Sequence, residues 1–366
     1  LYILVGSLNQ MEPEDQVHLA FMIDKLDLYL LLDSALAGGA SDLHLSVNRP
    51  PLARREGKIL TMAADVIGPG QVEAMIYPLL NERQIEEFET ERELDFAFSP
   101  TVGTRFCVNL HWQKGFAEAT VRSIPGAVKS FKELALPIDV MESLSKQKAG
   151  LILIAGTTAS GKTTTMASMM EYINQNFSCV IISIEDPIEY SIPSMNAVIK
   201  QREIGDDTKS FEEGLRRALH QDPDVVCVSD LPTAEAVLAA LEIAEAAQLV
   251  IATINDSDTI AALARVVRPF ELDRAVGASE QLSSVLHAVL FQTLLPSVSG
   301  AYIAATELLL NNSAVAKSIQ DNRYKQINAL LQTGKPQGMH TLKSSVRDLF
   351  KQGLIEEAIA NPYLKE

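Results

Sequence analysis

The sequence predicts an α/β chain built on a mostly parallel sheet with helices on both faces, preceded by a smaller α+β unit. Three observations predict it. Beyond residue 137 or so, apolar strand-like runs alternate with helical ones, the pattern of a parallel sheet whose crossovers are helices. The first such run, Leu151–Ala155, leads into Gly156-Thr157-Thr158-Ala159-Ser160-Gly161-Lys162-Thr163 and the helix-prone Thr164–Tyr172, which is the strand, loop, helix order of a Walker A motif. Before residue 125 the runs are short and alternate apolar with polar, as half-buried strands do.

Taken in order, Leu1-Tyr2-Ile3-Leu4-Val5 is apolar but lacks a basic flank and a cleavage pattern, so it makes a poor signal peptide, and residues 1–21 are read as an N-terminal extension. A helix over Asp24–Leu36 ends at Gly38-Gly39. Strand runs Leu43–Ser46 and Leu52–Leu60 surround Pro50-Pro51 and a Glu56-Gly57 turn. Helices near Gly70–Leu80 and Glu82–Thr90, then strands Leu94–Phe98, Arg105–Trp112 and Ala117–Ile124, complete a first domain over residues 22–125. Pro125-Gly126 and the polar stretch behind it make residues 126–136 the linker. Residues 137–312 hold the phosphate-loop domain, with strands Leu151–Ala155, Val180–Glu185, Val225–Ser229, Leu249–Ile254 and Ile303–Leu309 and helical runs between them; residues 313–366 read as a small helical cap.

Composition bounds the partners. With 366 residues, 47% hydrophobic and 21% charged, the chain has ample core material. A net charge of −16 argues against tight nucleic-acid binding and disfavours a DNA translocase, because neutralising phosphates needs surplus Lys and Arg. Cys107, Cys179 and Cys227 lie far apart in apolar runs and read as buried thiols of a reducing compartment, not as a zinc site. Apolar stretches such as Leu26–Leu32 fall short of the ~20 residues a spanning helix needs. The expected location is cytoplasmic, or peripheral at a membrane through partners.

The loop carries the chemistry. Backbone N–H groups and a helix N-terminus offer fixed positive potential to phosphates, and glycine lets the main chain approach them. Gly156 through Thr164 therefore form the expected nucleotide-binding segment, with Lys162 reaching the β- and γ-phosphates and Thr163 contributing to a Mg²⁺ shell. ATP and Mg²⁺ are the expected ligands.

Ala40-Ser41-Asp42-Leu43-His44-Leu45, the Walker A segment, Ile184-Glu185-Asp186-Pro187-Ile188-Glu189-Tyr190, Gln201-Arg202-Glu203-Ile204-Gly205 and Asp222-Pro223-Asp224-Val225 together resemble, in order and spacing, the secretion-ATPase superfamily, and within it the PilT/PilU retraction ATPases of type IV pili. The resemblance runs from about Met22 to Leu354. It implies a homo-hexamer of chains, each with an N-terminal PAS-like domain and a C-terminal RecA-like ATPase domain, working at the cytoplasmic side of the inner membrane on a pilus platform protein, with a second retraction ATPase as a further expected partner. The four-cysteine zinc insert common in related assembly ATPases is missing, which favours the retraction branch; a type II secretion or pilus assembly ATPase is the alternative. Glu185 matches the family's catalytic glutamate, positioned to polarise the attacking water. Asp186 is expected to shape its turn, Glu189 to form an interdomain ion pair, and His44 to be structural.

Several positions depart from the family pattern. Ser229-Asp230-Leu231-Pro232 stands where the family has Gly-Glu and a nearby Arg, so Asp230 keeps a carboxylate, for Mg²⁺ or water, with one methylene less reach; capping the helix that begins near Thr233 accounts for it equally well. Gln248 and Asn255 replace the two family histidines and can hydrogen-bond but not carry charge, leaving Gln248, Thr253 and Asn255 as a polar sensor set or as plain strand-end groups. Of the arginines that this family presents to a nucleotide, Arg105 and Arg122 remain, whereas Cys107 and Lys114-Gly115 replace others; strand-end charges in solvent are the plain alternative. Ala159 replaces a loop glycine, and Ala314–Ile319 is a weak form of a C-terminal family motif. Together these suggest a slow or auxiliary ATPase, or a nucleotide-binding regulator of a stronger motor.

Overall fold

The computed structural model describes residues 27–364, apart from 56, 102, 103, 125, 126, 269 and 271. The expectations for residues 1–21, and the first residues of the Asp24–Leu36 helix, lie outside them. The chain divides into two compact units, residues 1–126 and 127–366.

The first unit is a six-stranded sheet of β1 (Asp42–Leu45), β2 (Leu52–Arg55), β3 (Lys58–Thr61), β4 (Glu93–Thr101), β5 (Thr104–Gln113) and β6 (Phe116–Ile124), in the order β3-β2-β1-β6-β5-β4 with every neighbour antiparallel. Alternation sets its faces: Leu43, Leu45, Val108, Leu110, Ala119 and Val121 point into one apolar core under helices Leu28–Ala37 and Glu82–Glu91. Asp27 caps the first of these helices, and an Asn81/Gln84 capping box starts the second. Lys114-Gly115, which stands in place of a family arginine, is the two-residue turn between β5 and β6, with both residues at positive φ (51° and 85°) as a hairpin of that length demands.

The second unit holds seven strands: β7 (Gly150–Gly156), β8 (Val180–Glu185), β9 (Val198–Glu203), β10 (Val225–Val228), β11 (Leu249–Asn255), β12 (Leu286–Pro296) and β13 (Tyr302–Leu310). Their order is β13-β12-β7-β11-β10-β8-β9, parallel throughout except for β12 with β13. Every residue of β7 is buried. Leu151, Leu153 and Ala155 face one core, built with helices Phe211–Ala218, Ala234–Glu245 and Thr259–Val267, while Ile152 and Ile154 face another, built with Ile138–Ser145 and Lys162–Asn176. Two-sided burial is what a central parallel strand requires.

Three expectations are corrected. Two further strands, β9 and β12, lie where helical runs or loops were expected. The stretch read as linker is anchored in the second unit, since Phe131 and Leu136 are buried in its core. The C-terminal helices are not a separate cap: Val315, Ile319, Ile327 and Leu331 join the main core, and only Val346, Leu349, Ile355 and Ala360 form a smaller cluster against β12 and β13. Of the cysteines, Cys227 alone is fully buried, Cys107 and Cys179 being partly exposed. Among the described residues no helix is long and apolar enough to cross a membrane, and no cluster of acidic, His and Cys side chains is suited to hold a metal by itself.

Candidate nucleotide site

The loop from Gly156 to Gly161 leaves β7 at its carboxyl end and turns into the helix Lys162–Asn176, where ligands bind in sheets of this kind. Two glycines are demanded by space. A Cβ on Gly156 (φ 158°) would lie 2.3 Å from Ser160 Oγ and 2.5 Å from the Gln292 carbonyl, and one on Gly161 (φ 86°) 3.1 Å from Gln292 Nε2. Ala159 adopts φ 63°, a left-handed conformation that costs an L-residue about 1 kcal/mol and that glycine adopts freely.

Lys162 folds back over this loop. Its Nζ donates to the carbonyls of Gly156 and Thr157, each at 2.9 Å. Burial lowers its pKa, while the charges of Asp230 and Glu189 oppose the fall. Glu189 thus acts electrostatically on the phosphate-loop lysine of its own unit. The ammonium is held by two backbone acceptors that phosphate oxygens can replace.

Gln292, in β12, holds the loop shut. Its Nε2 donates to the Ser160 carbonyl at 2.7 Å, and its Oε1 accepts from Thr165 Oγ1 at 2.8 Å. Sequence reasoning missed this residue; the signal was a lone amide within the apolar run Leu286–Leu295, where a buried polar group demands partners. Thr164 Oγ1 meets the Tyr190 hydroxyl at 2.9 Å.

Glu185 ends β8 and is 2% exposed. Its Oε1 accepts from Ser183 Oγ at 2.5 Å and from Gln201 Nε2 at 3.0 Å. Its charge adds to the burial that raises the Cys227 thiol pKa. The neighbouring Asp186 N–H donates to Ser229 Oγ at 3.1 Å.

The strands beside β7 bring the remaining residues. Asn255 is in register with Gly156, and its Nδ2 donates to Thr158 Oγ1 at 3.3 Å, so it borders the loop. Thr253 donates instead to the Ser229 carbonyl, tying β11 to the end of β10. Asp230 accepts from the Leu231 N–H at 2.8 Å, whereas the following helix is capped by Thr233. Helix capping is therefore not the role of Asp230, which faces Lys162 electrostatically. Gln248 is not brought to the loop. It precedes β11 and its carbonyl accepts from the Gly150 N–H, at the opposite end of a strand whose Leu249–Asn255 span amounts to about 20 Å at ~3.3 Å per residue.

Arg105 and Arg122 belong to the first unit, on β5 and β6. Arg122 Nε donates to Asp42 Oδ1 at 2.8 Å; the arginine is exposed and the aspartate buried. Burial alone would raise the Asp42 pKa, but the Ser41 hydroxyl and the Arg122 guanidinium outweigh it and hold the carboxyl below its usual range. Cys107 stands directly opposite Arg122 in the β5–β6 register. His44 Nδ1 meets Thr120 Oγ1 at 3.3 Å within the same sheet, a structural placement.

Residues 128–350 match the family described as type II/IV secretion system protein. Over 340 residues the chain is 35% identical to the type IV pilus retraction ATPase PilT of Pseudomonas aeruginosa, covering 93% of this chain and 98% of that one. It is 32% identical to the type IV pilus ATPase PilU of the same organism, over 90% of this chain and 87% of the relative. Among solved structures, the pilus retraction motor PilT with bound ADP superposes with a TM-score of 0.83 at 37% identity, over 93% of this chain and 98% of that chain. The Legionella pneumophila ATPase DotB shares the fold at a TM-score of 0.77 and 22% identity, over 93% and 97% of the two chains.

Proposed function

The chain belongs to the family of type II/IV secretion system proteins, and from that premise we propose that it is an ATP hydrolase that serves type IV pilus retraction. The observation that carries this reading is the phosphate loop: a glycine-built turn at a strand end, with Lys162 resting on the carbonyls of Gly156 and Thr157. When triphosphate enters, the ammonium exchanges those acceptors for β- and γ-phosphate oxygens, and the loop N–H groups and helix N-terminus take the rest of the charge. Glu185 orients and deprotonates the attacking water.

Mg²⁺ fits the donors present, since the hydroxyl of Thr163 and the carboxylate of Asp230 are hard oxygen ligands. Held there with the nucleotide, Mg²⁺ would supply neutralisation of the charge that develops on the phosphates. Asn255 serves as a polar sensor at the loop through Thr158, and Thr253 supports it from within the sheet through the Ser229 carbonyl. Gln248 has no such part. The functional form is a homo-hexameric ring at the cytoplasmic face of the inner membrane, acting on a platform protein, with an N-terminal PAS-like domain over 22–125 and Arg105 and Arg122 supplying guanidiniums to phosphate. Head-to-tail contacts close naturally into such rings.

A second reading is favoured by one set of observations: Asp230 is a shortened carboxylate and Asn255 is uncharged at the loop. On that reading the chain binds nucleotide, hydrolyses it slowly, and supports a stronger retraction ATPase. Steady-state hydrolysis by the purified protein, with Glu185→Gln as control, separates the two. Rapid turnover lost in Glu185→Gln supports the motor; slow turnover with saturable Mg·ATP binding supports the auxiliary.

A further inference from the structure

We propose that Gln201 is a positioning residue for hydrolysis, one whose side-chain amide aims the Glu185 carboxylate and ties it to the helix behind the phosphate loop. Gln201 lies on β9, the edge strand, in register with Ser183. Its Oε1 accepts from the Ile192 N–H at 2.8 Å, and its Nε2 donates to Glu185 Oε1 at 3.0 Å and to the Tyr190 carbonyl at 2.7 Å. An acceptor that faces an N–H, and a donor group that faces two acceptors, fix the orientation of the amide. No other assignment of its oxygen and nitrogen satisfies all three partners.

The arrangement joins two parts of the site. Tyr190, whose carbonyl Gln201 holds, meets Thr164 Oγ1 through its hydroxyl at 2.9 Å, and Thr164 directly follows Thr163 at the start of the phosphate-binding helix. A hydrogen-bonded path therefore runs from that helix through Tyr190 and Gln201 to Glu185. Ser183 Oγ, at 2.5 Å, supplies a second donor to the same carboxylate oxygen. Donors to a carboxylate favour its ionised form and restrict its rotation. Glu185 is buried, so without them burial would favour the neutral acid, which cannot accept a proton from water. Ser183 sits on the same strand and moves with Glu185. Gln201 is a donor from another strand, and it relates the carboxylate to Tyr190 and the phosphate-loop helix.

This inference rests on reading Glu185 as the group that activates water, and the experiment keeps the two apart. The full-length chain is compared with Gln201→Ala, Gln201→Glu and Glu185→Gln by kcat, KM and pH–rate profile for Mg·ATP hydrolysis, and by the thermal shift that Mg·ATP produces. Gln201→Ala is expected to lower kcat about ten-fold or more, the scale of a misplaced catalytic group, with KM and thermal shift changed by no more than about two-fold. Gln201→Glu is nearly isosteric and carries the test if the alanine variant does not fold. It places a second carboxyl against Glu185, raises the pKa of that group, and moves the acidic limb of the profile to higher pH by about one unit. A limb unmoved in Gln201→Glu overturns the proposal, as does a loss of rate in Gln201→Ala matched by equal losses of stability and nucleotide binding. If both Gln201 variants behave as wild type while Glu185→Gln is inactive, only the role of Gln201 fails. Turnover that survives Glu185→Gln overturns the reading of Glu185 itself.

Discussion

The phosphate loop and the strand ends beside it differ in completeness. Gly156–Thr163 has every group that phosphate binding needs: glycine where space or φ demands it at 156 and 161, a lysine with exchangeable partners, and a glutamine clamp from β12. At the ends of β10 and β11 the chain presents Asp230 and Asn255, a shortened carboxylate and an uncharged amide. On the proposed reading, holding a nucleotide and hydrolysing it draw on separate residues. The first set is then whole, whereas in the second Glu185 keeps its hydrogen-bond partners and Asp230 and Asn255 depart from the family pattern.

The largest expected effect sharpens that contrast. Glu185→Gln removes the base and should lower turnover by about 10²–10⁴-fold, the usual contribution of general-base catalysis, while Mg·ATP still raises the thermal midpoint. Lys162→Ala should do the opposite and abolish the midpoint shift, which at ligand 100 times its Kd corresponds to about 2.7 kcal/mol. Equal shifts in wild type and Lys162→Ala would break the comparison from the binding side.

Ala159→Gly probes the one strained position of the loop. With φ at 63°, the substitution should stabilise the protein by up to about 1 kcal/mol, read as a higher denaturation midpoint. A drop in stability would mean that the left-handed conformation carries no strain. The smallest effect lies in the first unit. Arg122→Ala leaves a buried carboxylate with Ser41 alone, and because the arginine is exposed the loss should be only about 1 kcal/mol. The sign follows from the depressed Asp42 pKa. Its contribution is present above the unfolded value of about 4 and fades as pH falls through the lower folded value. In Arg122→Ala acid unfolding should therefore begin at higher pH.

Much of this was legible in the sequence because its determinants are local. The strand, loop and helix around Lys162 follow one another within the chain, and alternation fixed the faces of the first sheet. What escaped depends on distant partners. β12 carries an apolar run buried on both faces, which by periodicity reads equally as a buried helix, and its Gln292 has meaning only beside Ser160, far away in the chain. β9 is a half-exposed edge with no strong pattern, so the contact between Gln201 and Glu185 could not be foreseen. Gln248 and Asn255 are paired as the positions of two family histidines, yet they flank β11, and the length of that strand keeps them apart. Asp230 was legible as a carboxylate, but its local partner, Leu231 rather than the next helix, came only with coordinates.

The central claim is that the strand ends, and not the loop, limit this enzyme. The direct measurement is turnover per subunit at saturating Mg·ATP for wild type, for Asp230→Glu with Asn255→His, and for the same pair with Gln248→His added. The two changes at the ends of β10 and β11 should raise turnover together about ten-fold or more, in a non-additive way since such groups act as a unit, and Gln248→His should add little because it lies at the far end of β11. The thermal shift given by Mg·ATP should stay the same in all three. No gain from the pair, or a gain that appears only with Gln248→His, would contradict the account.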